Sequence, residues 1–153
     1  MHRVCVEAEK EMDPPRFSPK VAEEGILRVD EAIAKSAAFT ALHLNVKAIA
    51  AMTQSGATAL WTSRISTHVP IYALTPEVET RRKVTLFRGV YPINFRPSSN
   101  DRDQLLAEAE EELRRRGAVR NGDLILLTIG EPIGKPGGTN TLKIVRVGER
   151  KKV

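Results

Sequence analysis

Apolar residues in this 153-residue chain fall into short continuous runs and longer periodic stretches. The short runs, bounded by Gly, Pro, Asn, Asp and Thr, read as strands over 46–52, 71–74, 89–95, 124–129 and 142–147. The periodic stretches read as helices. Residues 1–12 place Val4, Cys5 and Ala8 on one face, and Asp13-Pro14-Pro15 stops that helix. Residues 13–29 lack periodicity and read as a connector. Asp30 is expected to cap a helix over 31–44, with Ala32, Ile33, Ser36, Ala37, Thr40, Ala41 and Leu44 as a small-residue packing face. A helix over 55–66 follows the first strand directly. Thr75 and Pro76 open another, reaching about Thr85. Asn100 or Asp101 opens a long helix that ends at Gly117, with Leu105, Leu106, Ala109 and Leu113 inward.

The order β-α-β-α-β-α-β-β predicts an α/β fold over residues 30–153. It is a three-layer α/β/α sandwich around a mostly parallel five-stranded sheet. The last two strands have no helix between them, so the C-terminal strand should be antiparallel. Ligands in such sheets sit beyond the strand C-terminal ends, near the point where strand order reverses.

Two loops lie at such ends. In the first, Thr53, Gln54, Ser55, Gly56 and Thr58 bring short polar side chains and backbone amides to a helix start, where unpaired N–H groups and the helix dipole favour an anion. The second, residues 130–141, is glycine-rich and holds Gly134, Lys135, Gly137, Gly138 and Thr139. It is not a phosphate loop of the nucleotide-hydrolysing kind. It has one residue too few between its glycines, Pro136 stands where a hydroxyl must bind magnesium, and a strand follows instead of a helix. Its plainer reading is a hairpin connection, although hairpins need only about 2–5 residues.

No catalytic constellation accompanies these loops. His2, His43 and His68 have no metal-ligand spacing. Ser55-Gly56 lacks the preceding Gly-x of a nucleophile elbow. Glu108, Glu110, Glu111 and Glu112 read as a solvated helix face, and Trp61 as core or interface. The pattern is one of binding phosphorylated molecules without transforming them.

Charge adds little to this. The formal net charge of +5 is dispersed over Arg81-Arg82-Lys83, Arg114-Arg115-Arg116 and Arg150-Lys151-Lys152, and aromatics are 5%. That combination argues against nucleic acid as a partner. No apolar run approaches the roughly 20 residues of a membrane span, and no signal-peptide pattern opens the chain. Cys5 is the single cysteine, so no internal disulfide is possible, and a cytoplasmic location is expected.

The segments TQSGATALWTSRIS, PIYAL, RGVYPINF and NGDLILLTIGEPIGKPGGTNTLKIV, in this order over about residues 30–148, resemble the C-terminal domain of bacterial pyruvate kinases. Residues 1–12 resemble the last helix of that family's catalytic barrel. The resemblance implies a domain that binds a sugar phosphate or AMP and helps form a homo-oligomer. Phosphotransfer with magnesium and potassium would belong to barrel and lid segments not in this chain, which is expected to be inactive alone and to need no cofactor. It also implies that Thr53, Gln54, Ser55, Gly56 and Thr58 hold the effector phosphate and that Gly134, Lys135, Gly137, Gly138 and Thr139 close over it. Ala57 stands where the family often has arginine or lysine, leaving Lys135 as the cation inside either loop. Two other readings compete: a stand-alone phosphate-binding module of the same fold, and a nucleic-acid-binding protein.

Overall fold

A computed structural model of the chain describes residues 2–10, 28–65, 68–133 and 138–149. Its elements are α1 (His2–Lys10), α2 (Val29–His43), β1 (Ala48–Met52), α3 (Ala57–Arg64), β2 (Ile71–Thr75), α4 (Val78–Val84), β3 (Val90–Asn94), α5 (Arg102–Arg115), β4 (Leu124–Gly130) and β5 (Thr139–Arg146). The strands form one five-stranded sheet in the order β3-β2-β1-β4-β5. The first four are parallel, and β5 runs antiparallel to β4.

The strand sequences are continuously apolar because both faces of the sheet are covered. In β1, Ala48 and Ala50 face one cluster with Leu74, Ile125 and Leu127, under Leu105, Leu106, Ala109 and Leu113 of α5. Ile49 and Ala51 face the other, with Ile71, Ala73 and Leu126, under Ala37 and Ala41 of α2, Ala59 of α3 and Val84 of α4. This is the expected three-layer α/β/α arrangement. Side chains such as Leu106 and Leu113 are fully buried, and truncating either to alanine would cost about 2–5 kcal/mol.

Several local expectations are corrected. Asp30 does not cap α2. The N-cap is Arg28, without a side-chain cap, and Asp30 lies buried in the first turn. Its carboxylate is held by Arg28 through Nε at 2.9 Å and Nη2 at 2.7 Å. The packed face of α2 is Ala34, Ala37, Ala38 and Ala41, whereas Ser36 and Leu44 are exposed. An alanine-rich helix carries little hydrophobic contrast, so its neighbours fix its rotation.

Thr75 ends β2, and α4 starts only at Val78. The Thr75 hydroxyl instead accepts from the Glu77 amide at 3.2 Å. Glu110 is buried and accepts from the Gly148 amide at 2.9 Å, so the glutamates of α5 are not all solvated. Asp101 is the cap of α5, accepting from the Gln104 amide at 2.9 Å. Val4, Cys5 and Ala8 of α1 are all exposed. The stop at Asp13-Pro14-Pro15 and most of the connector at 13–29 lie outside the described residues.

Candidate functional site

β1 lies between β2 and β4, so the strand order reverses beside it and leaves a crevice at the C-terminal ends. A cavity of about 200 Å³ occupies that crevice. Thr53, Gln54, Ser55, Ala57 and Thr58 line one side, and Gly130, Ile133, Gly138 and Thr139 line another. The structure therefore brings the two loops together.

The first turn is shaped from within and from below. Gly56 is the N-cap of α3 and has φ +81°. A side chain there would strain the backbone, and its Cβ would stand 2.9 Å from Val84 Cγ1. The Gly56 amide donates to Thr53 Oγ1 at 2.9 Å, and the Ala57 amide to Ser55 Oγ at 3.4 Å. The expected helix start at Ser55 thus moves to Ala57, and two of the turn's amides are capped by its own hydroxyls. Neither contact uses the amides of Gln54, Ser55 or Thr58. From α4, the Thr80 hydroxyl donates to Gln54 O and Lys83 Nζ to Ser55 O at 3.4 Å.

The second loop is shorter than the sequence implied, because β5 begins at Thr139 instead of Leu142. The Asn140 side chain bridges its base: Nδ2 donates to Glu131 O at 2.7 Å and Oδ1 accepts from Glu131 N at 3.0 Å. Across the hairpin, Gly130 packs so closely that a Cβ would lie 2.8 Å from Gly138 C and O. The Thr58 and Thr139 hydroxyls meet at 2.7 Å, joining the two loops at the cavity.

Of the expected site residues, Thr53, Gln54, Ser55, Thr58, Gly138 and Thr139 line the cavity. Gly56 is buried and shapes the turn. Gly134, Lys135 and Gly137 lie outside the described residues. The sequence reading missed the rest of the wall. Met52, Leu74, Phe95, Leu105 and Ile129 supply an apolar floor, and Pro97 and Asn100 a third side. Their apolar periodicity marked several of them only as core. The cavity is polar toward the turn and apolar away from it. Such a space suits a molecule with one polar end and a less polar body.

Elsewhere, His43 is exposed and stacks on Phe39, its Nδ1 2.8 Å from Phe39 O. Trp61 is half-buried beneath the Arg64 guanidinium, 4.8 Å from the ring centroid. Neither reaches the cavity lining.

A family model described as the pyruvate kinase alpha/beta domain matches residues 31–145. The chain belongs to this family. The matched span runs from the first turn of α2 to β5 and includes both cavity loops. Among curated pyruvate kinases, the protein from Buchnera aphidicola subsp. Acyrthosiphon pisum is 46% identical over 120 residues, 78% of this chain and 25% of that protein. Pyruvate kinase II of Salmonella typhimurium is 41% identical over 148 residues, 96% of this chain and 30% of that protein. The pyruvate kinase of Staphylococcus haemolyticus is 39% identical over 152 residues, 97% of this chain and 25% of that protein. This pyruvate kinase domain thus spans between 25% and 30% of the length of these relatives, and corresponds to their C-terminal region.

Among the described residues of the domain, no three His, Cys, Asp or Glu side chains gather where one ion could meet them. No described helix is long and apolar enough to cross a membrane.

Proposed function

We infer that this chain is the effector-binding and subunit-contact domain of a cytoplasmic pyruvate kinase, and that a sugar phosphate or AMP is its ligand. The effector's phosphate meets the amides of Gln54, Ser55 and Thr58 at the start of α3, with Lys135 as its cation. The rest of the molecule lies toward the apolar floor. The closure of both loops on one cavity, through the Thr58–Thr139 contact, is the observation that carries this reading. Phosphotransfer, with its magnesium and potassium, belongs to the remainder of the longer enzyme.

Thermal denaturation of the chain with fructose 1,6-bisphosphate, ribose 5-phosphate and AMP tests the reading. A ligand at 100 times its dissociation constant should add about 2.7 kcal/mol of stability. The absence of any shift with all three at millimolar concentration would overturn it. A coupled assay with phosphoenolpyruvate and ADP should meanwhile give only background turnover.

A further inference from the structure

The third side of the cavity is the irregular segment between β3 and α5, which contributes Pro97 and Asn100. Two side chains of α5, Glu108 and Gln104, bond it from one side. Glu108 reaches back from the second turn of α5, and its carboxylate accepts from the Ser98 amide at 2.9 Å and from the Ser98 hydroxyl. Gln104 Nε2 donates to the same hydroxyl at 2.8 Å and to the same carboxylate at 3.3 Å. Ser98, between the two lining residues, is therefore gripped through both backbone and side chain. These bonds, that from the Ser98 hydroxyl foremost, hold the Glu108 carboxyl below its ordinary range. The helix start beside it is fixed separately: the Asp101 amide donates to Ser99 Oγ at 2.9 Å, and Asp101 caps Gln104.

We propose that Glu108 is a positioning residue of the effector cavity, which by gripping Ser98 keeps Pro97 and Asn100 where they can meet a ligand. The proposal rests on the effector reading above. Glu108 itself touches no ligand. Without its grip, the segment samples other conformations, and apparent affinity falls by the fraction of time the wall is in place. Ordering the segment then becomes part of the cost of binding.

Calorimetric titration of the whole chain with fructose 1,6-bisphosphate, ribose 5-phosphate and AMP first selects the tightest probe. That probe is then titrated into Glu108→Ala, Glu108→Gln and Glu111→Ala. Glu111 sits on the same helix, paired with Arg114 at 2.7 Å, and serves as the control. Glu108→Ala should weaken binding about tenfold. Glu108→Gln keeps an acceptor for the Ser98 amide and should return affinity to within about threefold of wild type. Glu111→Ala should change nothing. In nitrogen-15 spectra, the Ser98 amide should move in unliganded Glu108→Ala, and the ligand-induced shift at Asn100 should shrink. Wild-type affinity in Glu108→Ala with a displaced Ser98 amide would overturn the proposal and leave the effector site standing. A similar loss in Glu111→Ala would overturn it too, since the effect would then belong to the helix in general. If no probe binds the wild type, the effector reading falls and this proposal with it.

Discussion

The hydroxyl oxygens of Thr58 and Thr139 lie 2.7 Å apart, although 81 positions separate the two residues in the chain. Both side chains are buried, Thr58 in the first turn of α3 and Thr139 at the start of β5. One hydroxyl donates and the other accepts, so the contact ties the turn before α3 to the base of the glycine-rich loop. Either group alone in that place would be a buried polar atom without its bond.

Thr139→Val should therefore destabilise the domain by about 1–3 kcal/mol, the cost of leaving the Thr58 hydroxyl unpaired. The double variant Thr58→Val/Thr139→Val should lose less than the sum of the two single losses, because no orphan hydroxyl remains. Urea denaturation of all three variants measures this. Additive losses would show that the hydroxyls share no bond.

Gly56 and Gly117 both have positive φ, but their surroundings differ. A Cβ at Gly117 would have no neighbour within 4 Å, whereas one at Gly56 would press on Val84 at 2.9 Å. Gly117→Ala should cost about 1–2 kcal/mol of backbone strain. Gly56→Ala adds overpacking and should cost roughly 2–5 kcal/mol. Equal melting temperatures for the two variants would contradict the close packing of α4 beneath the turn.

The hydrogen-bonded Arg28 guanidinium holds the Asp30 carboxyl below its ordinary range, against the opposing effect of burial. A carboxyl whose pKa is lower folded than unfolded stabilises the fold above the unfolded value, about 3.9, and loses that contribution as pH falls through the folded value. Stability measured by urea at a series of pH values should thus decline below about pH 4. In Arg28→Ala stability should already be lower at pH 7, and that part of the acid decline should flatten. An unchanged acid profile in the variant would remove Arg28 as the cause.

If the proposed effector site is right, individual cations should differ in their effect on ligand affinity. Lys135→Ala should weaken phosphate-ligand binding by about 10- to 150-fold, the loss of one charge-assisted bond. Lys83, which reaches Ser55 O from α4, should matter less, and exposed Arg82 least, since solvent screens its charge. Calorimetry at one ionic strength ranks the three. Equal affinities for wild type and Lys135→Ala would make the glycine-rich loop structural and leave subunit contact as the domain's role.

Element type and order were legible in the sequence because they follow from local chemistry. Leu124 to Ile129, a short apolar run between Asn121-Gly122 and a glycine, has the length and flanking breakers of a buried strand. The lack of a helix between β4 and β5 dictates their antiparallel pairing. Turn residues from Thr53 to Thr58 were likewise legible as candidates, since glycine and short hydroxyl side chains beside a helix start are a local signal.

Tertiary structure decided what depends on distant neighbours. Asp30 is a good cap by type, but the Arg28 guanidinium took its carboxylate into an ion pair and the helix began before it. Local pattern could not rotate the alanine-rich α2; packing against the sheet and α3 selected Ala34 and Ala38 over Ile33 and Ser36. The ladder between β4 and β5, closed by Asn140 on Glu131, drew Thr139 out of the loop and into a strand. Pro97 and Asn100 have no sequence signature of a cavity wall, because they become one only where α5 holds their segment beside the ends of β1 and β4. Sequence fixes preferences within a few residues of each position, while a cavity is made by surfaces that meet only when the sheet has set its strand order and register.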